Sequence, residues 1–468
     1  MMPRLHPIAV ALAAAIGLGG CAIGPDYARP ASPLPAAYAE STVTDNAAID
    51  ARWWTLFNDE TLNDLVDQAL RNNADLRQAI ARVEQADAVA REAGASFFPE
   101  IDGTAGTSNS RVSTRTATYF ASLPPVRQAR SAALTTAFEL DVWGRIRRAN
   151  ESARAALLAS QYDRDAVRLS VAGLVAANYL ALRAYDAQLA VTQETLQIRE
   201  DSLKLVRTRI DAGLASPVDG HQAEGAQAAA QAQLADQRRL RALTAHQLAL
   251  LTGNPQLQIA SGDLRQLPLP PQPPAGLPAD LIDGRPDIRR AEQNLVAANA
   301  GIGIAKAGYF PKFSLTGSYG SESQTLSDLF SSGTNAWSLG ISALMPILDF
   351  GRTSARVDQA QALNQQSLIA WQNALQTAYK EVRDALVSLR EDGEAEAAQA
   401  RQAAAAEKSL GITRLRYEAG HAGYLEVLDA QRTHNDARLA LIAIRQARLG
   451  ATVDLFKALG GGWKPAAG

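Results

Sequence analysis

One cysteine and five histidines among 468 residues set the first limit on chemistry. A disulfide needs two thiols and a structural metal cage needs several Cys or His ligands, so both frameworks are excluded. The neighbours of the cysteine give it another use. Arg4, the apolar stretch from Ile8 to Leu18, and Gly19-Gly20 directly before Cys21 form a charged start, a short hydrophobic region and a small-residue cut site. That layout is a secretory signal, too short and too poorly flanked to be a membrane-spanning helix. Cleavage would leave Cys21 as residue one of the mature chain, its thiol free for lipid attachment, with palmitate among the acyl groups expected. Buried acyl chains contribute about 0.8 kcal/mol per CH₂, so several together form a stable tether. The other sites that could do chemistry dissolve on inspection. Ala300-Gly301-Ile302-Gly303 through Gly308 has glycines near dinucleotide-loop spacing, but it follows the helical pattern Arg289–Asn299 and not a strand. The sequence has no phosphate-cradling Walker loop and no G-x-S-x-G elbow, and its acid pairs are scattered over helix faces. The expectation is therefore no catalytic, cofactor-binding or metal residues, and no cofactor.

Charge and composition narrow the class further. Basic and acidic residues number 46 and 48, for a net charge of −2 and a pI near 6.3. A nucleic-acid partner is excluded, because it would call for a basic excess gathered into patches. Hydrophobic residues make up 47% and mean hydropathy is −0.13, with no run of about 18 apolar residues after the signal that would span a bilayer as a helix. Alanine supplies about a fifth of the chain and charged residues 20%, a mixture that favours long packed helices. Ala22, not an aspartate, follows the cysteine; by resemblance to bacterial lipoproteins this implies sorting to the outer membrane.

The elements around these features repeat. Phe97–Ser108 matches Tyr309–Gly320, Phe138–Ala149 matches Met345–Ala355, and Arg209–Gln222 matches Arg416–Gln431, in the same order and at offsets of 212, 207 and 207 residues. The chain reads as a signal peptide (1–20), a lipid-anchored extension (21–57), a first repeat (58–253), a Pro-rich linker (254–283), a second repeat (284–459) and a tail (460–468). Each repeat predicts a helix, two strands, a very long helix, a tight turn and a returning helix. Arg145–Ala212 and Arg352–Ala419 contain no proline, and Leu189, Leu196, Leu203 and Ile210 recur every seven residues, the mark of helices packed along their length. About 68 residues at 1.5 Å per residue make a rod of roughly 100 Å. Gly213 and Gly420 stand where left-handed caps would end these rods, before returning helices from Val218 to Leu251 and from Tyr424 to Leu459.

The predicted strands alternate. Phe313, Leu315, Gly317 and Tyr319 interleave with Ser314, Thr316, Ser318 and Gly320; Leu134–Val142 and Trp337–Ala343 do the same, with aromatics at the strand ends. Period-two segments with one apolar face and terminal aromatics are the pattern of outer-membrane barrel strands. Two strands per repeat make four per chain, while a closed barrel needs about eight or more. An open sheet in lipid leaves unpaired backbone groups costing several kcal/mol each. Copies must therefore combine, and the arithmetic permits two, three or four.

At this point the sequence resembles the TolC-like outer-membrane efflux proteins, in the lipoprotein branch that serves resistance-nodulation-division pumps (the nodulation protein T family). The residues that carry the resemblance are Gly24-Pro25-Asp26-Tyr27 with Arg29-Pro30; Trp53-Trp54 with Phe57, Asp59 and Leu62; Arg285-Pro286-Asp287-Ile288-Arg289; Phe310-Pro311; and Lys457-Ala458-Leu459-Gly460-Gly461-Gly462-Trp463. The resemblance implies a mixed α+β membrane protein: a homotrimer with a 12-stranded β-barrel continued by a periplasmic α-helical coiled-coil tube, acting as the passive exit duct of a tripartite pump. It also implies outer-membrane lipid, a periplasmic adaptor (membrane fusion) protein and an inner-membrane pump as partners. Carried over onto Tyr424–Asp429, it makes Leu425 and Asp429 the periplasmic gate; they are four residues apart on one helix face. Gly213, Leu214, Ala215 and Ser216, with Gly420, His421, Ala422 and Gly423, become the adaptor-contact tip turns. The first repeat has Gln222 where the second has Asp429. A protein-secretion conduit and a periplasmic coiled-coil adaptor lipoprotein are the alternatives. An adaptor would carry one helical hairpin instead of two.

Overall fold

The computed structural model describes residues 22–39, 49–117, 120, 122, 124–276 and 278–464. Cys21 and the signal lie outside the described residues. A 3₁₀ turn, Trp53–Phe57, precedes helices α1 (Glu60–Asn72) and α2 (Ala74–Ala95), strands β1 (Glu100–Arg111) and β2 (Val126–Leu140), and the paired helices α3 (Arg145–Asp211) and α4 (Pro217–Thr252). After the Pro-rich segment and one helical turn, Leu281–Gly284, the order recurs: α5 (Pro286–Ala307), β3 (Lys312–Ser323), β4 (Asn335–Leu344), α6 (Arg352–Glu418) and α7 (Tyr424–Ala458). The long helices begin and end within a residue of the positions the glycines and heptads predict. The single helix expected before β1 is instead two, broken at Asn73. Its backbone turns extended (ψ 132°), its Oδ1 accepts from Asp75 N and Leu76 N, and its Nδ2 donates to Leu251 O. An asparagine satisfies the orphan amides of a new helix start as well as a serine does.

The chain forms two compact units. One takes the described part of 1–30 with Glu84–Ala159 and Glu292–Ala370, and holds a four-stranded antiparallel sheet in the order β1-β2-β3-β4. Its registers put like with like. The rows Ile101–Thr136–Gly317–Leu339 and Gly103–Leu134–Tyr319–Trp337 run across all four strands, and Phe138 lies opposite Leu315 and Leu315 opposite Ile341. Directly opposed residues share a face, so one face carries Ile101, Leu134, Phe138, Tyr319, Trp337, Leu339 and Ile341. The other carries Asp102, Thr104, Thr135, Thr316, Ser318, Ser338 and Ser342. The apolar face is bare: Trp337, Leu339 and Ile341 are about 70% exposed. At the foot of the sheet, the Trp143 ring lies 4.8 Å from that of Phe310, and Trp143 Nε1 donates to Pro311 O at 2.9 Å. The segment after Cys21 is strapped here too. Ile23 N donates to Trp143 O, Arg148 pairs with Asp26 at 2.6 Å, and Arg29 and Tyr27 both donate to the buried Glu292.

The second unit comprises the described residues of 31–83, Ser160–Ala291 and Trp371 onward. Trp53, fully buried, stacks on Phe456 (5.3 Å, 12°) and meets Trp54 edge-on, with Phe57, Leu62, Val175, Tyr179 and Leu248 completing the core. Asp59 caps α1 by accepting from Leu62 N and also accepts from the Tyr179 hydroxyl at 2.6 Å. Helix α3 contains an 18-residue window with mean hydropathy 1.3, more apolar than the sequence reading allowed for. Its apolar residues Val171, Val175, Leu180 and Leu182 are core residues of this unit. The closing glycines have a backbone reason: Gly460, Gly461 and Gly462 all lie at positive φ (85°, 58°, 71°), where a side chain is strained. Arg285, 7% exposed, is bidentate to Asp287 (3.0 and 2.7 Å) and also donates to Glu381 and to Ala458 O. Burial raises the Asp287 carboxyl, and the hydrogen bonds and charge of Arg285 more than offset this, leaving it below the usual carboxylate range.

Candidate functional site

Two helical hairpins end in the second unit, and both turns are built by glycine. After α3, Gly213 takes φ +74°, and Gly213 N and Leu214 N donate to Ile210 O and Arg209 O. After α6, Gly420 takes φ +79°, and Gly420 N and His421 N donate to Tyr417 O and Arg416 O. Left-handed closure of this kind satisfies the last carbonyls of a helix. Each returning helix is then capped. Ser216 Oγ accepts from Val218 N while Asp219 accepts from Ser216 N, and Pro217 occupies the first turn. In the second hairpin Gly423 has no side chain to offer, and Glu426 accepts from Gly423 N at 3.1 Å.

Beneath the turns Leu203, Val206, Ala223, Tyr417, Tyr424 and Val427 make a small core. The Arg209 guanidinium lies 4.4 Å over the Tyr417 ring, and the Tyr417 and Tyr424 rings are 6.0 Å apart. The two hairpins thus share one end. Above this core the turns are open to solvent: Gly213, Leu214, Ser216, Gly420, His421 and Gly423 are exposed, Ala215 and Ala422 half-buried. Leu214 is 77% exposed, an apolar side chain at a tip with no cover from its own chain.

Leu425 and Asp429 project from one face of α7, both exposed, with Leu425 at 62%. They border a cleft of about 420 Å³ that is also lined by Gln222, Ala226, Ala229, Arg199 and Arg432. Gln222, the repeat counterpart of Asp429, therefore opens into the same cleft. The sequence reading missed the charge balance here. Asp429 Oδ1 accepts from Arg432 Nη2 at 2.7 Å, so its carboxylate is already paired. An i,i+3 acid–base spacing was present in the sequence as the signal. Also unforeseen is the buried Arg199, which donates to Gln431; burial, the largest influence, lowers its pKa. Thr195 Oγ1 donates to Asn435 at 2.8 Å one turn away. These links tie α3 to α7 along the wall of the cleft. Among the described residues no group of three or more His, Cys, Asp or Glu could hold a metal.

The two-fold character of the chain recurs in its relatives. The sequence model described as "Outer membrane efflux protein" matches residues 65–254 and again 277–461. The cation efflux system protein CusC of Escherichia coli is 34% identical over 98% of this chain and 99% of its own length. The solvent efflux pump outer membrane protein SrpC of Pseudomonas putida is 36% identical over 95% and 96%. The solved structure of the outer-membrane channel OprN superposes with a TM-score of 0.88 at 30% identity, covering 95% of this chain and all of that one. With two hairpins, a two-faced sheet and these full-length matches, the chain belongs to the outer membrane efflux protein family, as a TolC-like channel of the outer membrane with a large periplasmic portion.

Proposed function

We propose that three copies of this chain close a 12-stranded barrel through the outer membrane and continue it as a helical periplasmic tube. The carrying observation is the sheet, with a bare apolar face, a hydroxyl-lined opposite face, and two strands, β1 and β4, at its edges. Such a sheet is stable in lipid only when its edges are paired, the apolar face turned to acyl chains and the polar face to a water-filled lumen. Membership in the family supports the role of exit duct for a tripartite efflux pump. The energy for transport then comes from the inner-membrane pump, joined through a periplasmic adaptor.

In this reading Leu425 and Asp429 line the periplasmic constriction, three copies giving an apolar ring beside a ring of paired charges. The exposed tip turns, Leu214 and His421 among them, meet the adaptor. Cys21 carries the lipid, and the strap from Ile23 to Arg29 holds that anchor against the foot of the barrel. The cargo is small molecules; CusC and SrpC, named for cation and solvent efflux, support a duct whose selectivity is set upstream. The test is conductance. Purified protein in planar bilayers should open discrete steps, and the double variant Leu425→Ala/Asp429→Ala should enlarge them. Absence of any step in the wild type and in the double variant would overturn the channel reading.

A further inference from the structure

The edges of the sheet carry more than a need for partners, because the internal repeat supplies the register of the missing seam. Offsets of 212 residues for β1 onto β3 and 207 for β2 onto β4 convert the observed pair Glu100↔Ala137 into Lys312↔Leu344, and that is the register observed in the second hairpin. The two hairpins are thus the same unit twice. Within the chain they join through β2 and β3, with Leu134 opposite Tyr319, Thr136 opposite Gly317 and Ser131 opposite Glu322. The remaining edges, β4 and β1, stand in the same relation as β2 and β3, but on separate copies.

We infer that β4 of one copy pairs with β1 of the next in the register of the β2–β3 seam, and that Phe350 locks this seam by packing on Phe98-Pro99 of that copy. The inference rests on the barrel reading and adds its register and its lock. Applying the same offsets, Ile341 faces Thr107, Ala343 faces Ala105 and Ser338 faces Ser110 of the next copy. An independent check is parity. A one-residue error would bring the face of β4 that carries Trp337, Leu339 and Ile341 onto the face of β1 that carries Asp102, Thr104 and Ser108. The transferred register instead aligns Ile341 and Ala343 with the face that carries Ile101, and Ser338 with the face that carries Thr104.

The lock follows from the same equivalence. Trp143 corresponds to Phe350, and Phe310-Pro311 to Phe98-Pro99. Inside the chain, Trp143 packs on Phe310 and hydrogen-bonds Pro311 O. The outer counterparts are bare: Phe350 is 91% exposed and Phe98 74%. Phe350 also sits at φ +53°, a left-handed conformation unfavourable for a bulky residue unless its surroundings hold it. Asp349 fixes the turn by accepting from Gly351 N and Thr353 N, so the ring is held outward. Lacking the indole N–H, Phe350 contributes ring packing alone.

Paired cysteines test the register, since opposed residues on antiparallel strands lie within disulfide reach. Ser338→Cys/Ser110→Cys, both predicted on the water-filled face, should form oxidant-dependent interchain crosslinks at least tenfold above Ser338→Cys/Thr104→Cys, with Cys21 alone as background. Crosslinking strongest through Ser108→Cys or Thr104→Cys would overturn the register while leaving a closed barrel. Absence of interchain crosslinks in every pair, from protein that runs as a monomer, would overturn both. For the lock, Phe350→Ala and Phe98→Ala should each lower the temperature at which the oligomer dissociates in detergent, the double variant no further than either single. Dissociation of both singles at the wild-type temperature would remove the lock.

Discussion

If Asp429 lines the periplasmic constriction as proposed, removing its carboxylate should turn that opening from charge-balanced to cationic. Asp429 and Arg432 pair at 2.7 Å with side chains 63% and 70% exposed. An exposed pair contributes about 0–1 kcal/mol to stability, so Asp429→Ala should fold and insert normally. In the trimer proposed above its electrostatic effect is larger, because three copies would surround one opening and each would leave an Arg432 guanidinium without its partner. For a separation of about 6 Å in a water-like dielectric, each charge would be worth about 0.7 kcal/mol to a passing monovalent ion, and three about 2 kcal/mol. That is roughly a 30-fold enrichment of anions over the balanced wild type. It should persist near 0.01 M salt, where the screening length is about 30 Å, and fade at 1 M, where it is about 3 Å. The assay is the reversal potential in planar bilayers under a tenfold KCl gradient, at low and at high total salt. The matched control is Asp236→Ala, which breaks the exposed Asp236–Arg239 pair, also i,i+3, at 2.6 Å. An unchanged reversal potential for Asp429→Ala at low salt, or an equal shift for Asp236→Ala, would show that the constriction is elsewhere.

Trp53→Ala should cost about 3–5 kcal/mol, since it removes a fully buried ring stacked on Phe456; chemical denaturation of the detergent-solubilised protein reads this, and a change under 1 kcal/mol would deny the core its anchor. The Asp287 carboxyl, lowered by Arg285 against the pull of burial, contributes stability that is full above its unfolded pKa of about 3.9 and lost as pH falls through the lower folded value. Asp287→Asn should therefore destabilise the protein at neutral pH and flatten the acid limb of its melting profile; an unaltered limb would mean the pair does not couple to folding. Cys21→Ser should abolish fatty-acid labelling, and persistent labelling would refute the assignment of the lipid.

The long helices were legible because nothing interrupts them. No proline falls between Arg145 and Ala212 or between Arg352 and Ala419, and Gly213 and Gly420 adopt the positive φ their placement suggested. Strands β3 and β4 and the second half of β2 were legible because a sheet with one bare apolar face keeps its apolar residues in alternation, whereas β1 was legible through its match to the second repeat. What was not legible depends on chain segments distant in sequence. Trp53 could be recognised as part of a motif, but its partner Phe456 lies about 400 residues on. Asn73 breaks a helix without proline or glycine, and its side chain makes the break stable through contact with Leu251 O. The Asp429–Arg432 pair is the exception, a local i,i+3 contact whose spacing the sequence does carry. Glu194 of α3 pairs with Arg438 of α7 at 2.8 Å, a contact between residues over 200 positions apart in the chain.

Closure of the sheet by partner copies is the claim on which the lumen, the constriction and the seam all depend. Native mass measurement of the protein extracted in detergent from outer membranes tests it most directly. A particle of three chains is expected, with no folded single chain beside it. A stable, folded monomer in that fraction would contradict it, because its unpaired β1 and β4 edges would then have to survive in lipid without partners.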